Sequence, residues 1–213
     1  MQQCYRVALI FGSIGGVVMM AFHPEGHDTI TERGSFMMLL VHLAGLVNIA
    51  LLAFGSVGII RALGSERADV TGGGVAYGFA IATVMPPIVI SAFIIPAMAK
   101  QIWAIDKVAD PIAYKIIMQS LSLCGQWIQG CVKAFVLTMF VAIALWSLAM
   151  LRTRLFPKSL AIYGLVVGVA IPLAVLSNQL RMSAHGFAAV MLAIGVWSIW
   201  SAIRAPNDAF NKV

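Results

Sequence analysis

The sequence predicts an all-α integral membrane protein of six transmembrane helices, a single domain over residues 1–213. Three observations predict it. Charged residues make up 10% of the chain and hydrophobic ones 61%, whereas a soluble domain carries roughly a quarter charged residues. The mean hydropathy is +0.95. The few Asp, Glu, Lys and Arg are also placed so that uncharged runs lie between them, each near or above the roughly 17–25 residues that cross a bilayer as a helix. A soluble globular domain, a disordered chain and a disulfide scaffold are excluded, since each needs far more polar residues or far more cysteine.

The elements follow in order. The first helix is expected over 6–22; Arg6 before an apolar run resembles a signal peptide, but the run exceeds a typical signal core. The second spans 35–62 and the third 73–99, with Pro86-Pro87 in mid-helix and Pro96 beyond. Proline removes a backbone donor and kinks a helix, and broken helices often mark transport sites. The fourth is one long helix, 111–151, because the uncharged stretch 116–132 runs into Lys133 with no turn that reverses the chain. Its first half is expected to project past the hydrocarbon or lie along the interface. The fifth spans 158–179 and the sixth 183–204.

An even number of helices puts both termini on one side. That side holds Arg6, Arg61, Arg67, Arg152, Arg154, Lys158, Arg204 and Lys212, against Arg33, Lys100, Lys107, Lys115 and Arg181 opposite. The excess places both termini in the cytoplasm. A net charge of +6 and a pI near 9.6 would suggest nucleic acid for a soluble protein. Here the position of each charge matters more than the sum, and no nucleic-acid partner is expected. Cys4, Cys124 and Cys131 read as small apolar side chains.

The helices repeat. Arg61 follows His42 by nineteen positions, Arg204 follows His185 by nineteen, and Arg152 follows Lys133 by nineteen. On that alignment Ile60-Arg61-Ala62 meets Ile203-Arg204-Ala205, and Ile10-Phe11-Gly12 meets Ile162-Tyr163-Gly164. Three parallel two-helix hairpins are expected, related by rotation about the membrane normal.

Nineteen helical residues rise about 28 Å, so His42, Lys133 and His185 lie near the interface opposite the arginines. His23 and His27, in the connection His23-Pro24-Glu25-Gly26-His27-Asp28, fall on the same face. Ionisable groups beside a membrane span are costly and face a partner or cavity. Imidazoles with a nearby carboxylate suit zinc or copper, so His23, His27, His42 and His185 are candidate ligands, with Asp28 or Glu25 as ligand or orienting group. Such a metal would activate water or run redox chemistry. The alternatives are haem b held between His42 and His185, or histidines that only hydrogen-bond carbonyls or headgroups.

Gln119, Ser122, Gln126, Gln129 and Lys133 recur at spacings of three and four, one stripe on a helix. The stripe suggests a polar pathway to Lys133 for a lipid-soluble or anionic small molecule; otherwise it is a face turned to water. Met19-Met20 and Met37-Met38 read as lipid-facing or packing residues, and Trp103, Trp127, Trp197 and Trp200 as interfacial belt residues. No phosphate loop, nucleophile elbow, metalloprotease helix pair or CxxC is present.

The combination of His23-Pro24-x-Gly26-His27-Asp28, His42, Ser91-Ala92-Phe93-Ile94-Ile95-Pro96-Ala97, Leu155-Phe156-Pro157-Lys158 and His185-Gly186 is similar to small six-helix bacterial inner-membrane proteins. The resemblance covers most of the chain. It implies the topology and a bacterial inner membrane, and no activity. Three functions therefore stay open: a metal-dependent membrane enzyme, a non-enzymatic carrier or lipid-binding protein, and a subunit of an oligomer or larger membrane complex.

Overall fold

A computed structural model describes residues 2–24, 26–105, 107 and 109–205, without the side chains of Gln2 and His27. It is helical, with no strand among the described residues, and six of its helices are long and apolar enough to cross a membrane. Helix α1 covers Gln2–Ala21, α2 Glu32–Leu63, α3 Ala68–Val89, α4 Ile95–Ala104, α5 Pro111–Thr153, α6 Lys158–Leu176 and α7 Ala184–Arg204. A 3-10 turn, Gly26–Ile30, lies between α1 and α2, and a π turn, Ile90–Ile94, joins α3 to α4 in one continuous span.

The ends of these helices follow local chemistry. Thr31 caps α2 by accepting from the Gly34 N–H (3.0 Å) while donating its hydroxyl to the Asp28 carbonyl (2.8 Å). A Cβ at position 34 would run into that same carbonyl, so the turn can fold this tightly onto α2 only against glycine. Asp110 caps α5 through the Ala113 N–H (2.9 Å), and Pro111 fits the first helical position, where no donor is needed. Helix α6 stops at Leu176, three residues before the expected end. Asn178 there adopts a left-handed conformation (φ 58°), and its N–H returns to the Val175 carbonyl.

Pro86 and Pro87 bring no N–H to the α3 ladder, and the helix widens just beyond them into the π turn, closed by Ile95 N–H on the Ile90 carbonyl. Helix α5 is the longest element, 43 residues and about 65 Å at 1.5 Å each.

The helices form a ring in which α1 packs on α2, α3 on α5, α5 on α6, and α7 closes back onto α1. Helices α6 and α7, consecutive in the chain, touch much less. Close approach depends on small residues: a Cβ on Gly55 would stand 2.6 Å from Leu9 Cγ, and one on Gly168 3.1 Å from the Phe140 carbonyl oxygen. At one end, Arg61, Arg152 and Arg204 occupy the last turns of α2, α5 and α7, where cations complement the helix dipole. There Arg67 and Arg152 share Asp69 at 3.1 and 2.9 Å, Arg61 donates to the Tyr5 hydroxyl at 3.1 Å, and Arg6 donates to the Ala205 carbonyl. The opposite end, reached by His23, His42 and the 3-10 turn, holds the site.

Candidate functional site

The half of the bundle away from the arginines encloses a cavity of about 850 Å³, within the size range of small-molecule sites. Helices α1, α2, α3, α5 and α7 line it, with Ile95 at the start of α4, the π turn and the α1–α2 and α6–α7 connections; α6 itself contributes nothing. On α5 the lining runs from Met118 to Met139, about 30 Å of helix. Among the described lining residues there is no Asp, Glu, Lys or Arg.

The cavity has a floor. Tyr77, Leu52, Met139 and Ile194 line its base and also the top of a separate void of about 10 Å³ beneath, room for about one water. Below them Trp146 and Trp197 stack with ring centres 6.0 Å apart, and Tyr77 lies 5.4 Å from Trp146. Both indole donors are satisfied, Trp146 Nε1 by the Val70 carbonyl (3.1 Å) and Trp197 Nε1 by Ser147 Oγ (3.0 Å). At 1% and 2% exposure these rings are buried beneath the cavity, on the side toward the arginine end.

At the other end the connection folds over the cavity. Pro24, Thr29 and Ile30 line it there, and Trp103 of α4 fastens the connection by donating Nε1–H to the Ile30 carbonyl (2.6 Å). The cavity reaches the surface along α5, where Met118, Ser122 and Gln129 are both lining and exposed. Gln129 donates to the Met182 carbonyl (2.9 Å), and Phe135 meets Phe187 with ring centres 5.8 Å apart. These contacts bridge α5 to the start of α7, whose backbones are not closely packed.

His23 and His42 stand side by side in the wall, ring centres 5.1 Å apart and edge to face. His42 Nδ1 lies 2.7 Å from the Met38 carbonyl, and His23 Nδ1 lies 2.8 Å from the Pro24 carbonyl. A carbonyl oxygen only accepts, so Nδ1 of each ring donates and Nε2 carries the lone pair of the neutral ring. On His42 the Nδ1 edge faces its own helix backbone, which turns the Nε2 edge away from that backbone.

The other expected site residues are dispersed. His185, in the first turn of α7, is exposed and does not line the cavity, so it and His42 do not face each other across one space. Asp28 is exposed; the side chain of His27 and all of Glu25 and Asp106 lie outside the described residues. Among the described residues no three His, Cys, Asp or Glu side chains are grouped closely enough to hold a metal ion. The α5 stripe divides: Ser122 and Gln129 face the cavity, whereas Gln119, Gln126 and Lys133 are exposed outside it. Seven residues apart, these three lie two helical turns from one another on a single line, and that line misses the cavity.

Sequence reasoning passed over Asn48, gave Ser91 no role in a site, and read Met19-Met20 and Met37-Met38 as lipid-facing or packing residues, whereas Met19, Met20 and Met38 line the cavity. Asn48 donates Nδ2–H to Met19 Sδ (2.6 Å), a soft acceptor, and lines the cavity with the buried Ser91 of the π turn. Met19, Met20, Met38, Met118, Met139, Met182 and Met191 all line it, more than half of the twelve methionines. The signal available was their number, since flexible thioethers recur on surfaces that adapt to varied apolar ligands.

Comparison with known protein families, curated proteins and solved structures returns no match.

Proposed function

We propose that this chain is a multi-pass protein of the bacterial inner membrane, with both termini cytoplasmic, whose cavity binds a lipid-soluble small molecule. The observation that carries this reading is the cavity itself: without Asp, Glu, Lys or Arg among its described lining residues, rich in methionine, floored by aromatic rings and open beside α5. A hydrated ion or a charged metabolite finds no Asp, Glu, Lys or Arg among the described lining residues, whereas an apolar chain gains about 25 cal/mol for each Å² removed from water. Exposed apolar side chains around the bundle, such as Phe11, Val47, Leu123 and Leu192, are what a surface facing lipid requires. The arginines and Asp69 then sit at the cytoplasmic interface, and the histidine pair at the periplasmic side. Within this reading the hairpins are copies of one unit, supported by the arginines that close α2, α5 and α7.

The test is photolabelling in membranes with a long-chain alkane that carries a terminal diazirine. Adducts at Met139 or Phe187, displaced by unlabelled alkane, are expected. Adducts confined to the outer surface, at Val47 or Leu192, would contradict the assignment.

The His23–His42 pair favours a second reading, a zinc or copper ion within the same cavity. With metal–nitrogen bonds of about 2.0–2.1 Å, two imidazoles on one tetrahedral ion have ring centres about 5 Å apart, close to the 5.1 Å between these rings. The thioethers of Met19, Met20 and Met38 at that end suit copper(I). Elemental analysis of the purified protein and of a His42→Ala variant decides it: one equivalent of metal, lost in the variant, is expected. A metal-free wild type would end this second reading and leave the first intact.

A further inference from the structure

We infer that the occupant's polar end is a neutral hydroxyl, and that His42 Nε2 receives its hydrogen bond. The inference rests on the reading of the cavity as a site for a lipid-soluble molecule and specifies which kind of molecule enters. Three observations lead to it.

First, no Asp, Glu, Lys or Arg lies among the described lining residues, so a phosphate, sulfate or ammonium head would be desolvated with no opposite charge. Lys133, the cation expected to draw an anion inward, is exposed outside the lining. Second, the tautomer of His42 is fixed by its bond to the Met38 carbonyl, and the nitrogen left on the far edge of the ring is an acceptor. Third, two of the lining side-chain amides already direct a donor elsewhere, Asn48 Nδ2 to Met19 Sδ and Gln129 Nε2 to the Met182 carbonyl. At His42 the wall therefore offers an acceptor, which a hydroxyl satisfies and an ether or ester oxygen does not. Apolar lining then continues from His42 past Gly45 and Leu52 to Met139 above the aromatic floor, a slot for the chain behind the hydroxyl.

Two probes with the same tail separate these possibilities. Hexadecanol and hexadecyl methyl ether compete for the purified wild-type protein in micelles, read by native mass spectrometry, with hexadecyl sulfate as the anionic comparison. Hexadecanol is expected to bind about tenfold more tightly than the ether, the scale of one hydrogen bond, and more tightly than the sulfate. His42→Leu should abolish the preference and His42→Gln, which keeps an acceptor oxygen, should retain part of it. Should His42→Leu fail to fold, ¹⁵N-histidine labelling of the wild type supplies the second readout: the His42 Nε2 resonance shifts with hexadecanol and not with the ether. Equal affinity for alcohol and ether, or an unmoved Nε2 resonance with alcohol bound, overturns the hydroxyl assignment and leaves the cavity reading standing. Tighter binding of the sulfate overturns it as well. Binding of none of the three overturns both.

Discussion

Trp146 of α5 and Trp197 of α7 stack with ring centres 6.0 Å apart and planes 15° from parallel. They meet across the bundle, between helices whose backbones are not closely packed. With Tyr77 the stack forms an aromatic layer beneath the cavity. Trp146→Ala should cost about 3–5 kcal/mol, seen as a fall in melting temperature in detergent. Ser147→Ala, which strips the Trp197 indole of its acceptor, should cost about 1–3 kcal/mol. A Ser147→Ala protein that melts with the wild type would remove the hydrogen bond from the account of the floor.

Gly125 offers the cleanest way to fill the cavity. It lines the space, and a Cβ built there meets no atom within 4 Å. Gly125→Phe should therefore fill the site while keeping the fold, and replacing a mid-helix glycine by phenylalanine adds about a few tenths of a kcal/mol of helix propensity. Loss of diazirine labelling at Met139 with an unchanged or higher melting temperature is the expected pair of results. Labelling that persists would place the probe elsewhere.

Gly164 sets the approach of α6 to the tryptophan layer. A Cβ there would overlap the Ser147 hydroxyl and stand 2.5 Å from Trp197 Nε1. Gly164→Ala should destabilise by about 1–3 kcal/mol through overpacking, even though alanine is the better helix former. Thermal melts of the variant check the sign, since propensity alone predicts a gain.

Lys133 and Gln129, four residues apart on α5, should behave differently. Lys133 is exposed and outside the lining, so Lys133→Gln should leave labelling at Met139 unchanged. Gln129→Leu leaves the Met182 carbonyl without its 2.9 Å donor and loosens the α5–α7 bridge. A lower melting temperature for Gln129→Leu only is expected; equal effects would mean the bridge contributes nothing.

The helices were legible because the shortage of charge translates directly into apolar runs. Charge-free runs measure hydrocarbon thickness, however, and helices follow hydrogen bonding. Thus α2 begins at Glu32 under its Thr31 cap rather than at 35, and α3 begins at Ala68 with Asp69 in its first turn rather than at 73. Helix α6 ends early because Asn178 turns left-handed, a local choice that an apolar run does not encode.

Of the residues that line the cavity, the sequence singled out His23, His42, Ser122 and Gln129. It could not show that His185, at an equivalent distance from its arginine, is exposed and outside the cavity lining, because linear spacing fixes depth and not azimuth. The same limit applies to the α5 stripe. Spacings of three and four place Ser122 and Gln126 on one broad face, and the cavity edge falls between them. Asn48, Ser91 and the methionines are isolated polar or soft residues within apolar runs, and their common destination exists only after the helices assemble.

The central claim is that the cavity holds a lipid-soluble molecule. Native mass spectrometry of protein released from its own membrane tests it most directly. One retained lipid-soluble molecule per chain in the wild type, absent from Gly125→Phe, is the predicted result. A wild-type chain that emerges empty, or a Gly125→Phe chain that carries the same molecule, would contradict it.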